Sequence, residues 1–472
     1  MTSRMRRWGA LTIAAITLAV SGCSWTQLGG SAARRNYDST SEQINPANIG
    51  QLVTRMTTTG STGAPLIVGT QTFTFSNGVN AIIEVYPTVP DNTCIGTVCP
   101  PSVRLDFGSA RIGQPAVVNG TLFVASESGG VTSLRAFTTA GLSCPTGTPA
   151  QNCATWYAQA GDGLGSDGRA PQLAVADGQV YVETGGKYSG LGGPAIQSTT
   201  VTVFDAAGAN ACNPAAPSGC THKFQFATDI PSYSAPTVAD HRVFVSSSNG
   251  AWMFDSDGTR SCSAGVCTPL ARLAMPGGQP TGIVASKGRA YGTGLAGLAA
   301  FDSAGNANCA GQPIVCRPVW TAPLRSSGGG LVVTDTRVFV NESNNGGIEV
   351  FDAGGTQGCA GQPVICTRLW GIPASQMPGN INTMAASAFI LVVAGSTADI
   401  TGNASPNVRF FDLAGTTGCN SAPVECNALR TIALPPSQFV FLDGPAIAFG
   451  RIAIGSNNVG RTGTTTVFGL PG

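Results

Sequence analysis

Fifteen cysteines are the residues of this chain with the most chemistry within reach. Apart from Cys23 they fall into seven local pairs: Cys94 with Cys99, Cys144 with Cys153, Cys212 with Cys220, Cys262 with Cys267, Cys309 with Cys316, Cys359 with Cys366, and Cys419 with Cys426. In an exported chain such parity reads as a disulfide framework, each short loop contributing about 2 kcal/mol on the chain-entropy model. Zinc is the competing use of paired cysteines. Zinc sites take four ligands, usually at C-x2-C spacing, whereas these pairs are five to nine residues apart and the chain holds 2 histidines. Bridged cysteines cannot serve as nucleophiles.

The other reactive side chains form no catalytic pattern. His222 follows Cys220 at the foot of a cysteine loop and His241 falls in a hairpin turn, so neither is set to join a serine and a carboxylate. Asp162, Asp167, Asp177, Asp240 and Asp335 could hold calcium or act as a base, but aspartates in turns ordinarily cap their own backbone. Asp255-Ser256-Asp257-Gly258 starts like a calcium loop and lacks the remaining ligands. The glycine-rich runs Gly190 to Gly193 and Ser326 to Gly330 have no following Lys-Thr and no helix, which excludes a phosphate cradle. The reading assigns no catalytic residue, no metal site and no cofactor-binding residue.

What positions the cysteines is a unit repeated eight times. Aligned on the aromatic before a turn, the units meet at Tyr86, Phe137, Phe204, Phe254, Phe301, Phe351, Phe411 and Phe468, the first seven followed by a cysteine seven or eight residues later. In one unit, Ala235 to Ala239 turns at Asp240-His241 into Arg242 to Val245, and Ala251 to Phe254 leads to the Asp255-to-Gly258 turn. A last strand after the cysteines completes a four-stranded antiparallel meander. The spacing of strands and turns, with a period near 50 residues, predicts an all-β, eight-bladed propeller. The aromatic ladder is expected between blades. The long loops Thr184 to Thr200 and Gly395 to Asn407 are candidate interaction segments.

Met1 to Gly22 reads as an export signal, with Arg4, Arg6 and Arg7 before the apolar run Leu11 to Val20. That run is too short for a membrane-spanning helix, which needs about 20 residues. Val20-Ser21-Gly22-Cys23 resembles the lipobox of bacterial lipoproteins. The resemblance implies that Cys23 carries a diacylglyceryl group and heads a mature protein tethered to a membrane on its extracytoplasmic side. Without the three signal arginines the chain has 22 basic and 24 acidic residues, so it carries no basic footprint for nucleic acid.

Pro171-Gln172-Leu173-Ala174-Val175-Ala176-Asp177-Gly178-Gln179-Val180-Tyr181-Val182, followed by Phe204-Asp205-Ala206-Ala207-Gly208, resembles the pyrroloquinoline-quinone (PQQ) propeller repeat. Trp156, Trp320 and Trp370 stand where that repeat has its closing tryptophan. Trp25, Gly29-Gly30, Asn36, Ser39, Ile44 to Ile49 and Leu52 are similar to the opening segment of quinoprotein dehydrogenases. The resemblance implies a PQQ-repeat propeller over residues 61–472, after a segment 23–60 in which Gln51 to Met56 supplies a ring-closing strand to the eighth unit, Pro445 to Leu470. That unit lacks a cysteine pair. The chain departs from the family by inserting a cysteine loop between the Asp-x-x-Gly turn and the last strand of seven units.

Quinoprotein dehydrogenases hold PQQ and calcium over the propeller axis with a catalytic aspartate, a tryptophan floor and two adjacent cysteines. No adjacent cysteines occur here. The expected function is therefore a non-catalytic binding or assembly scaffold in the bacterial cell envelope, similar in plan to the BamB-type lipoproteins. It is expected to be a monomer with an envelope protein or glycan as partner and no cofactor. The alternatives are a PQQ- and calcium-dependent alcohol or sugar dehydrogenase and a glycan-binding propeller. The cysteine loops are expected either to form a spiny rim for partners or only to stiffen themselves.

Overall fold

The computed structural model describes residues 24–472 except 60–62, 146, 163–169, 186–198, 210–219, 228–233, 248–249, 279, 327, 343–345, 399–402, 421–423, 436, 439–440, 458–462 and 472. Cys23, Asp167, Cys212 and the glycines 190 to 193 lie outside the described residues.

Eight antiparallel sheets stand in a ring. Blade 1 begins with the strand Leu66–Val68 and ends with Val103–Asp106; blade 2 runs from Ala116–Val118 to Trp156–Asp162. Blade 3 runs from Leu173–Ala176 to Phe224–Ala227, blade 4 from Thr237–Ala239 to Ala271–Leu273, and blade 5 from Ile283–Ser286 to Trp320–Ala322. Blade 6 runs from Gly328–Val333 to Trp370–Ile372 and blade 7 from Asn380–Ser387 to Arg430–Ala433. Blade 8 takes Phe441–Ala448, Arg451–Asn457 and Gly463–Gly469 from the end of the chain, and its outer strand, Val53–Thr59, from near the beginning. Val53 faces Gly469 and Thr59 faces Thr464, so the chain ends share one sheet and close the ring without a free edge between first and last blades. The first strands of successive blades touch one another around the full circuit, which makes them the inner wall.

Each sheet is buried on both faces, so alternate residues of one strand serve different cores. In blade 6, Val338 and Val340 pack toward blade 5 with Tyr291 and Trp320. Phe339, between them, packs toward blade 7 with Trp370 and Leu391. The aromatic ladder follows this rule: Phe204, Phe254, Phe301, Phe351 and Phe411 are all buried against the preceding blade.

Further short strands extend the plain four-stranded plan, among them Arg111–Ile112 in blade 2 and Ser437–Gln438, paired with Asn403–Asp412, in blade 7. Blades 3, 4 and 5 each carry two further short strands on the outside, contributed by the cysteine loop of the next blade. Blade 7 gains a short parallel strand, Tyr37–Asp38, on its inner side.

Candidate functional site: a threaded plug and a latched rim

The turn between the first two strands of a blade needs left-handed backbone, and Asn119, Asp177, Asp240 and Lys287 supply it at φ near 50°. These turns mark one face of the ring, and the N-terminal segment lies across it. Trp25 exchanges backbone hydrogen bonds with Ile67 of blade 1, at 2.7 and 3.2 Å. Val117 of blade 2 donates its N–H to Thr26 O, and Val175 of blade 3 donates to Gln27 Oε1 while Gln27 Nε2 donates back to Val175 O. Val238, Ala285, Val333 and Ala386, in blades 4 to 7, donate to the carbonyls of Ala32, Ala33, Arg35 and Asn36 at 2.8–2.9 Å. The twelve residues from Trp25 to Asn36 thus visit seven inner strands in order.

Between Gln27 and Ala32 the segment folds on itself inside the ring of inner strands, the Gly30 N–H donating to Gln27 O. Gly29 and Gly30 take φ of 73° and 84°, and a Cβ on Gly29 would lie 2.7 Å from Arg34 Cα. The ring of Trp25 covers Gly30, and the Asn36 N–H closes onto Gly29 O. The Trp, Gly-Gly and Asn of the opening segment are therefore the parts of a plug. Arg35 extends it to Asp335, which also meets Lys287 Nζ at 3.4 Å. These cations hold the Asp335 carboxyl below its usual range even though burial pushes it up.

On the outside of the ring, an Asp-x-x-Gly turn launches the cysteine hairpins of blades 3 to 7. Asp352 Oδ2 accepts the N–H groups of Thr356 and Gln357 and the Thr356 hydroxyl, at 2.8–3.2 Å. Asp255, Asp302 and Asp412 make equivalent contacts. For all four carboxyls burial raises the pKa, and the backbone donors outweigh it and hold the pKa below the ordinary value. Asp255 is thus a turn cap.

The hairpins do not stand free as spines. Their described residues lie back on the outer strand of the preceding blade, because that strand otherwise presents unpaired N–H and C=O groups. Val266-Cys267 runs parallel to Gln225-Phe226 of blade 3, Val315-Cys316 to Arg272-Leu273 of blade 4, and Ile365 to Thr321 of blade 5. Glu425 bridges Gly371 of blade 6 and Val98 bridges Thr57 of blade 8. Cys220 is disulfide-bonded and donates its N–H to Tyr157 O of blade 2 at 2.9 Å. In blade 1 the contact is shifted to Asp106, opposite Pro149, and leaves a groove of about 540 Å³ lined by Arg104 and Pro145.

Six disulfides are formed among the described residues: Cys94–Cys99, Cys144–Cys153, Cys262–Cys267, Cys309–Cys316, Cys359–Cys366 and Cys419–Cys426. The second cysteine of every hairpin from Cys267 to Cys426 is almost wholly buried in the seam between blades. The closing tryptophans act at the same seams. Trp320 covers Gly355 of the next blade so closely that a Cβ there would sit 2.2 Å from its Cδ1, and its Nε1 donates to Ala353 O. Trp156 covers Gly208 and Trp370 covers Gly415 in the same way.

The remaining sequence candidates are dispersed. Asp177 and Asp240 occupy left-handed turns, and His241 is exposed beside Asp257 at 3.6 Å. His222 is exposed, and Asp162 ends a strand. Of the run Ser326 to Gly330, Gly328 to Gly330 open the first strand of blade 6 and residue 327 lies outside the described residues. Much of the Thr184-to-Thr200 loop lies outside the described residues, while Gly395 to Asn407 extends two strands of blade 7. Among the described residues no three His, Cys, Asp or Glu side chains converge as a metal site.

No family model matches this chain, and no curated protein matches it in sequence. Among solved structures it is similar to the computationally designed Ika8 protein, with a TM-score of 0.55 at 13% identity over 88% of this chain and 99% of that one. It also overlaps the AfRom2 CNH domain at a TM-score of 0.44 and 11% identity, over 89% and 99% of the two chains. The first likeness supports the propeller fold alone.

Proposed function

We propose that this protein is a lipid-tethered, extracytoplasmic propeller that acts as a non-catalytic binding or assembly scaffold of the bacterial cell envelope. The observation that carries the reading is the plug. A chain that bonds seven inner strands from Trp25 onward, two residues after Cys23, transmits a pull on its end to the whole ring. It also occupies the centre of one face, where a ligand could otherwise enter the axis. The disulfides suit an oxidising compartment outside the cytosol.

The tethered face carries exposed aromatic side chains. Phe389 and Phe449, on adjacent turns of blades 7 and 8, are 44% and 36% exposed, and Phe449 is held at φ 51°, where a bulky residue is strained. Aromatic rings at such tips suit a lipid interface. The opposite face, with the longer loops, then points away from the membrane toward a partner protein or glycan. No cofactor is assigned.

The test is to express the full chain in a bacterium and analyse its mature N-terminus by mass spectrometry, with membrane fractionation. The expected result is a diacylglyceryl group on Cys23 and membrane retention that Cys23→Ala abolishes. An unmodified Cys23 on a freely released protein would overturn the tether. Stoichiometric retention of PQQ with calcium, with turnover of an alcohol or sugar, would overturn the non-catalytic reading.

A further inference from the structure

The outer edges of the blades are not covered equally. In six blades the hairpin meets the same residue of the outer strand: Thr57, Tyr157, Gln225, Arg272, Thr321 and Gly371. Each of these faces a third-strand residue in the same register, as Arg272 faces Trp252 and Gly371 faces Glu349. The contact is a clamp. The Gln225, Arg272, Thr321, Gly371 and Thr57 N–H groups donate to the carbonyls of Gly265, Ile314, Val364, Val424 and Thr97, at 2.7–3.1 Å. Two residues further along the hairpin an N–H returns, from Cys99 to Thr57 O and from Cys426 to Gly371 O.

In blade 7 the same register places Thr431 opposite Arg409. The covering hairpin would have to come from the eighth unit, which has no cysteine pair. Among the described residues no strand lies on the outer side of Arg430–Ala433. Leu434 donates inward to Pro406 O in register with the ladder, so by alternation the N–H groups of Ala433 and Thr431 point outward, as that of Gly371 does in blade 6, and both residues are exposed. The side chain at the clasp position differs too. Arg430 stands where Trp320 and Trp370 stand, and it turns away to grip the carbonyls of Ile49, Gly50 and Leu52.

We infer that the outer edge of blade 7, centred on Thr431, is a docking site for an extended segment of a partner protein, added as a parallel strand. The inference rests on the scaffold reading and names its contact. The chain itself shows what fits: its own hairpins place Val98, Val266, Val315 or Ile365 beside the host strand and then a small buried side chain, the cysteine. The partner segment would carry a β-branched residue followed by a small one, with its carbonyl and N–H two residues apart clamping Thr431. This is strand addition to a sheet edge, in which backbone bonds give affinity and one side-chain pocket gives selectivity.

The test is hydrogen exchange on the full mature protein, resolved to single amides. In the protein alone, the Thr431 and Ala433 amides should exchange about 100-fold faster than those of Gln225, Arg272 and Thr321. A synthetic disulfide-closed peptide with the sequence of residues 357–369 should slow both. Thr431→Pro, which deletes the donor, should abolish that protection, and Thr431→Val should keep it. Equal protection of Thr431 in the protein alone would overturn the inference, as would peptide protection elsewhere or protection that grows with protein concentration and reports a second copy. The Thr431→Pro variant also separates the two readings. If wild type and variant retain an envelope partner equally, the scaffold stands without this edge; if wild type retains none, the scaffold reading itself falls.

Discussion

Blades 2 to 7 and the closure region of blades 7, 8 and 1 hold their seams by different means. The former have a separate core for each seam, a tryptophan, phenylalanine or methionine pressed onto the next blade's glycine, and a bridged hairpin over the outside. Around the closure the seams merge into one core that also takes in Trp25, Ile44, Ile49 and Leu52. Repetition allows a local fastener at each joint. The closing joint has to use strand exchange and an arginine on backbone carbonyls, and it leaves one edge open.

The contrast can be broken most severely at the plug. Deleting residues 24–38 removes acceptors for seven inner-strand donors, each bond contributing about 0.5–1.5 kcal/mol net. The expected outcome is a loss of about 5 kcal/mol or more in denaturant unfolding, enough to unfold a marginal protein. At a latched seam, Gly355→Ala should cost about 2–4 kcal/mol, because its Cβ would strike Trp320 and the backbone is left-handed. Gly288→Ala, at φ 74° with nothing within 4 Å, should cost only about 1 kcal/mol. Equal losses in thermal melts would show that strain, and not the clasp, governs the seam.

At the closing joint, Arg430→Ala should cost about 1.5–3 kcal/mol, since Arg430 bonds three carbonyls, with Nη2 2.6 Å from Leu52 O. Exchange should rise first along Val53–Thr59 and Gly463–Gly469, and a rise spread evenly over all blades would deny a separate closing joint. pH sharpens the contrast further. Burial pushes the Asp443 carboxyl of blade 8 up to about 7, despite a 2.9 Å bond from Asn457. A raised carboxyl contributes its stability below its unfolded value and loses it as pH rises through 7. The aspartates of the latched turns, held low, do the reverse and lose theirs as pH falls through their folded values. The melting temperature should therefore decline from pH 5 to 8 in the wild type, and Asp443→Asn should flatten that decline without moving the acid limb.

The propeller was legible because its signals are local and repeated: the ladder from Tyr86 to Phe468, the Asp-x-x-Gly turns and the cysteine parity each recur at fixed register. The disulfides followed from the same counting. What the cysteine loops do was not legible. Their hydrogen-bond partners are Gln225, Arg272 and Thr321, roughly 40 residues earlier in the chain and in another blade, and no local pattern carries that distance. The plug is a similar case. Trp25, Gly29-Gly30 and Asn36 were recognisable as a motif, yet their roles depend on seven strands spread from Ile67 to Ala386. One signal could have pointed to the open edge: the cysteine-free eighth unit leaves seven hairpins for eight outer strands.

The central claim is that each disulfide hairpin fastens the blade before it. The direct measurement is amide exchange in a Cys262→Ser, Cys267→Ser variant, where the chain-entropy model gives a stability loss of about 2 kcal/mol. Protection should fall at Gln225 in blade 3, more than 35 residues upstream, while the third strand of blade 4, Gly250–Asp255, keeps its own. Exchange that rises only between Asp255 and Ala271, with Gln225 unchanged, would contradict it.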